Sequence, residues 1–234
     1  MSKKYTLRLV LHDVTCNTES SEVGNDEIHL LGFGITKHGH RMTIPPFKVG
    51  SMSSGDVKDY QSSTSTSDTP SLGNNPGPNA DGLLLASHEV KSDDLHAMFV
   101  IYMIEKDQGH TISDFNGVVK KIFWNCFDRT VSELRRYEFE DNAIAFQAFA
   151  ENLHELDRRV HQAASESDGN PLTTSDDVFK PIMIRYANTA VDANNFVENE
   201  FRTGDFGEPL YFVGGKYQIR YNFHIHEERI LETL

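Results

Sequence analysis

The sequence predicts a mainly β protein: an antiparallel β-sandwich carrying an α-helical insertion, and so α+β overall. Three observations carry that expectation. Residues 5–12 and 217–226 each alternate apolar and polar side chains with a period of two. Several more apolar runs of strand length lie between Gly, Pro, Asn and Asp clusters, without the regular strand–helix alternation of a doubly wound sheet. Between about residues 113 and 165 the apolar period changes to that of a helix.

In the first strand Tyr5, Leu7, Leu9 and Leu11 share one face, with Thr6, Arg8 and His12 on the other. The runs "IHLLGFGI", "GLLLASHEV", "HAMFVIYMIE" and "PIMIRYA" supply four further strands, and "EPLYFV" a shorter one. The last strand places Tyr217, Ile219, Tyr221, Phe223 and Ile225 together. Gln218, Arg220, Asn222, His224 and His226 fall on the opposite face, which is expected to meet solvent. Residues 50–82 are rich in Ser, Gly, Asn, Asp and Pro, a composition that builds no core, and predict a flexible polar loop. Within the insertion, Phe146, Phe149, Leu153, Leu156, Val160 and Ala163 form one helical stripe, expected to pack on a sheet face or on a partner. Phe115, Val118, Ile122 and Cys126 form another behind a Ser113 cap, although residues 118–126 also read as a strand. The whole chain, 1–234, reads as one sandwich domain without internal repeats.

The charge balance narrows the functions. A net charge of -13, from 35 acidic and 22 basic residues, repels a phosphate backbone. No basic run is longer than an isolated pair such as Lys120-Lys121, so nucleic-acid binding is not expected. The opening "MSKKYTLRLVLHDV" lacks the apolar core and cleavage site of a secretory signal, and no apolar run is long enough to span a bilayer. A cytoplasmic protein is the default expectation, with export by a route lacking a cleaved signal left open. Cys16 and Cys126 are then expected as free thiols.

Carboxylates gather at two strand ends. Glu22 and Asp26 flank Gly24 before "IHLL", and Glu105-x-Asp107 ends an apolar strand seven residues before Asp114-Phe115-Asn116-Gly117. Hard cations such as calcium take six to eight oxygen ligands, which strand-end loops can supply. The two segments together resemble the calcium/lipid-binding β-sandwich domain of the protein-kinase-C type, in its first and third acidic loops. The resemblance covers about fifty residues, with Glu in place of Asp twice and a helix where the family continues as a strand. It implies a calcium site formed by Glu22, Asp26, Glu105, Asp107 and Asp114. It also implies a protein partner or an anionic surface bridged by the ion.

Other signals are slighter. His38-x-His40 and His224-x-His226 pair imidazoles at the spacing some zinc sites use, and Glu151-x-x-His154 occurs once where di-iron bundles need it twice. Neither a G-x-S-x-G elbow nor a phosphate loop occurs, and "GFGITKHG" lacks the third glycine of a dinucleotide fingerprint. The expected function is therefore a non-enzymatic binding module with acidic, calcium-binding loops. Its rivals are an assembly protein, self-associating through the helical insertion without metal, and a metal-dependent hydrolase.

Overall fold

The computed structural model describes residues 4–19, 26–36, 38–60, 82–90, 97–105, 112–136, 145, 148–149, 153–165, 177–179, 181–186, 197–202 and 216–228. The strand expected from "EPLYFV" lies outside them, as do residues 61–81 of the polar stretch.

The described strands are β1 (Lys4–Thr18), β2 (Asp26–Thr36), β3 (Arg41–Met52), β4 (Val57–Asp59), β5 (Leu83–Val90) and β6 (Ala97–Glu105). Helices α1 (Ile112–Arg135) and α2 (Leu153–Ser165) follow, then β7 (Asp177–Val178), β8 (Ile182–Tyr186), β9 (Val197–Arg202) and β10 (Lys216–Glu228). They form two antiparallel sheets. In sheet A, β1 pairs with β10 from Lys4 opposite Glu228 to Thr18 opposite Lys216, and β9 extends the far side of β10. β5 and β4 take successive parts of the other edge of β1. In sheet B, β2 lies between β3 and β6, and β8 and β7 share the outer edge of β6 in the same way.

The two alternating segments pack as their periods require. Leu7, Leu9, Leu11, Tyr217, Ile219 and Tyr221 face Ile28, Leu30, Ile44, Phe99, Ile101 and Met103 across the space between the sheets. A second core covers the opposite face of sheet B. There Leu31, Phe33, Met98, Val100, Tyr102 and Ile104 meet Val119, Phe123, Trp124, Phe127, Phe149, Leu156 and Val160 of the helical layer. The order of layers is therefore sheet, sheet, helices. β6 is buried along its whole length because both faces are covered, which explains its unbroken apolar sequence.

The glycines of "LLGFGI" serve this packing. A Cβ on Gly34 would stand 2.4 Å from Phe99 Cδ1, and one on Gly32 would stand 2.8 Å from the Val100 carbonyl oxygen. Phe99 lies over the backbone of β2 where any side chain would exclude it. The motif is a spacing device in a core, and no phosphate loop.

Several elements depart from the sequence reading, the unexpected strands β7 and β9 among them. β3 was not expected because "RMTIPPFKVGSM" contains Pro45 and Pro46. The register slips there, from Leu30 opposite Phe47 to Gly32 opposite Ile44, so the prolines occupy a bulge on an edge strand, where no ladder donor is lost. β3 also runs to Met52 and β4 follows, so residues 50–60 of the polar stretch are ordered. A tight turn joins them, with the Ser53 N–H donating to Asp56 Oδ2 at 2.8 Å and Gly55 at φ +93°. The segment 118–126, left between helix and strand, is helix. Its buried seam is Val119, Phe123 and Phe127 with Trp124, one position on from the expected Val118, Ile122 and Cys126, which are only partly buried. In the second stripe Phe149, Leu156 and Val160 are buried as expected.

Candidate functional site

Sheet register decides which of the acidic residues can meet. Ile28 lies opposite Glu105, so Asp26, two residues earlier in β2, stands at the same end of sheet B as the last residue of β6. Asp177 of β7 lies directly opposite Glu105 on its other side. Three neighbouring strands thus bring acidic residues to one end of one sheet. Glu105 shares the strand face of Ile101 and Met103 and is only 1% exposed.

Of the expected ligands, Glu22 and Asp107 lie outside the described residues. Asp26 and Asp114 are placed by their backbones only. Asp114 belongs to the first turn of α1. The resembling family's third loop would instead carry that residue on irregular backbone. The difference follows from the apolar seam, which draws the chain into a helix as early as Ile112. Among the described residues, no group of three or more His, Cys, Asp or Glu is arranged to hold a metal ion.

Two participants were not anticipated. Asp177 sits in the polar run "TTSDDVF", and only strand pairing reveals its neighbour Glu105. Glu27 accepts hydrogen bonds from Lys48 Nζ at 2.7 Å and, through its other oxygen, from His29 Nε2 at 2.9 Å. Those partners, Lys48 first, hold its carboxyl below the usual range. The spacing Glu27-x-His29 is visible in the sequence, but Lys48 reaches it only through the pairing of β2 with β3.

The remaining polar groups are arranged differently from what their spacing suggested. On the outer face of sheet A, His12 Nε2 lies 2.8 Å from Asn222 Oδ1 in a buried pair, and Arg220 Nε donates to Asp13 Oδ2 at 2.6 Å. The face expected to be solvated therefore buries His12 and Asn222, while His224 is half-buried opposite Arg8. The side chain of His226 lies outside the described set. Between α1 and α2 a cavity of about 300 Å³ is lined by Cys126, Arg129, Glu133, Glu155 and Arg159, among others. Its charges are paired within the helices, Arg129 with Glu133 at 2.8 Å and Arg159 with Glu155 at 2.7 Å. Burial pushes the Cys126 thiol upward, so it stays protonated and is a weak nucleophile. Cys16 is buried, and both cysteines are free thiols as expected. His154 is exposed on α2, and Glu151 lies outside the described residues.

The fold defines a β-sandwich with a helical layer on one sheet. The chain matches no family model, no curated protein and no solved structure. Among the described residues no helix is long and apolar enough to cross a membrane.

Proposed function

We propose that this protein is a non-enzymatic binding module that takes calcium at the acidic end of sheet B and through it meets a protein partner or an anionic surface. The register that sets Asp26, Glu105 and Asp177 at one sheet end carries this reading. Oxygen ligands held at strand spacing suit a hard cation with a flexible coordination shell. Glu22, Asp107 and Asp114 are the remaining ligands implied by the resemblance to the protein-kinase-C-type domain. For the rival reading, assembly through the helical stripe, the burial of Phe149, Leu156 and Val160 within the helical layer's own core gives less support.

A cation that binds only the folded arrangement stabilises it, by about 2.7 kcal/mol at a hundred times the dissociation constant. Millimolar calcium is expected to raise the melting temperature relative to chelator, magnesium to do so less, and Asp26→Asn to weaken the calcium response. Superimposable melts in calcium and chelator, with no heat of binding, would remove this reading.

A further inference from the structure

We infer that His40 and His88 form a two-histidine clip for a borderline divalent transition-metal ion such as zinc, tying sheet B to sheet A where their edges meet. The two residues are far apart in sequence, and the fold alone brings them together. His40 closes the turn between β2 and β3, while His88 lies on β5 opposite Leu7. Their ring centroids are 5.2 Å apart, with the planes inclined at 43°. Two imidazoles sharing one zinc, each with a nitrogen roughly 2.0–2.1 Å from the ion at a tetrahedral angle, have centroids roughly 5 Å apart. The observed separation matches that of two rings sharing an ion, and is also that of an ordinary tilted ring contact.

The turn fixes the backbone of His40. The His40 carbonyl accepts the Thr36 N–H at 3.0 Å, the His40 N–H donates to Thr36 Oγ1 at 3.2 Å, and the Gly39 N–H donates to the Thr36 carbonyl at 2.9 Å. Gly39, at φ +83°, takes the left-handed conformation that closes this turn. His40 is exposed and His88 half-buried, so an ion has access from solvent and one ring is shielded from competing water. The neighbouring cation is engaged elsewhere: Arg41 lies over the Trp124 ring at 4.5 Å and pairs with Asp128 on α1. His38, exposed two residues before His40, is the nearest additional imidazole in the turn, and water fills the remaining positions. No third ligand is preassembled among the described residues, so the clip binds more weakly than a closed structural zinc site. Its consequence is mechanical. An ion held by both rings fastens the β2–β3 turn to β5 and stabilises the closed sandwich edge.

The test uses the full chain, zinc alone as the probe, thermal melts and titration calorimetry. Zinc is expected to raise the melting temperature reversibly with chelator, and calcium not to act at this site. His40→Gln and His88→Gln are each expected to weaken zinc binding by about tenfold or more, at least the loss typical of disturbed ligand support. Both variants keep the metal-free melting temperature near that of the parent, which separates ligand loss from misfolding. A zinc response retained in either variant would overturn the clip, as would no response at millimolar zinc. Loss in His38→Gln with retention in His88→Gln would assign the metal to the turn alone and also overturn it.

Discussion

Replacing Phe123 with alanine tests whether the helical layer and sheet B share one core. The ring is fully buried, with centroids 5.1 Å from Phe33 on β2, 4.7 Å from Trp124 and 5.1 Å from Phe149. The contacts with Trp124 and Phe149 are near-perpendicular edge-to-face pairs. Truncating a buried Phe to Ala typically costs about 3–5 kcal/mol, from lost transfer energy and the cavity left behind. Each well-placed aromatic pair adds about 0.5–1.5 kcal/mol beyond its area. Because rings from β2, α1 and residue 149 all close on this point, the site cannot collapse by moving one element. A loss near the top of that range is therefore expected, against a typical total stability of about 5–15 kcal/mol. Trp124 is the sole tryptophan, and its ring lies against that of Phe123. Urea unfolding followed by its emission and by far-ultraviolet circular dichroism reports the layer and the whole fold together. Phe123→Leu, which refills most of the volume, is expected to cost less than half as much. A Phe123→Ala loss below about 1 kcal/mol would refute the shared core. Two separated transitions in the parent protein would show that the helical layer unfolds independently of the sheets.

Gly82→Ala is expected to destabilise by a few kcal/mol in urea melts. The residue sits at φ +148°, and a Cβ there would stand 2.6 Å from Val10 Cγ1 and 2.7 Å from the Leu11 carbonyl oxygen; an unchanged midpoint would contradict the close approach of chain to β1. The Glu27 carboxyl is held low by Lys48 and His29, so its contribution is complete above the unfolded carboxyl pKa and is lost as pH falls through the depressed folded value. Glu27→Gln should therefore lower stability near neutral pH and flatten the acid side of the stability profile, and a parallel profile would deny the coupling. The calcium and zinc titrations address different ends of the molecule, and each is expected to leave the other ion's response intact.

Many of the strand positions were legible because alternation is a local property. Tyr5 to Leu11 and Tyr217 to Phe223 declare their buried face by spacing alone, whatever they pack against. The helix stripe through Phe149, Leu156 and Val160 was legible for the same reason, at a different period. β3 was hidden because Pro45 and Pro46 signal a break, and only their position at an edge bulge makes them compatible with a strand. β4 was hidden because its three residues are held by backbone pairing with β1, which no side-chain pattern records. The seam of α1 was placed one position off, since "VVKKIFWNCF" offers apolar residues on two adjacent faces and only the sheet beneath selects one.

The sequence by itself determined the class of fold, the acidic balance and the candidate ligands, all of which follow from residue type and short-range period. Tertiary structure alone decided which residues are neighbours. It set Asp177 beside Glu105, took Asp114 into a helix, brought His40 to His88, and turned the expected solvated face of β10 into the buried pair of His12 and Asn222. The physical reason is that pairing between distant strands is fixed by the register that best buries both apolar faces of sheet B. That register is a property of the assembled layers and of no segment taken alone.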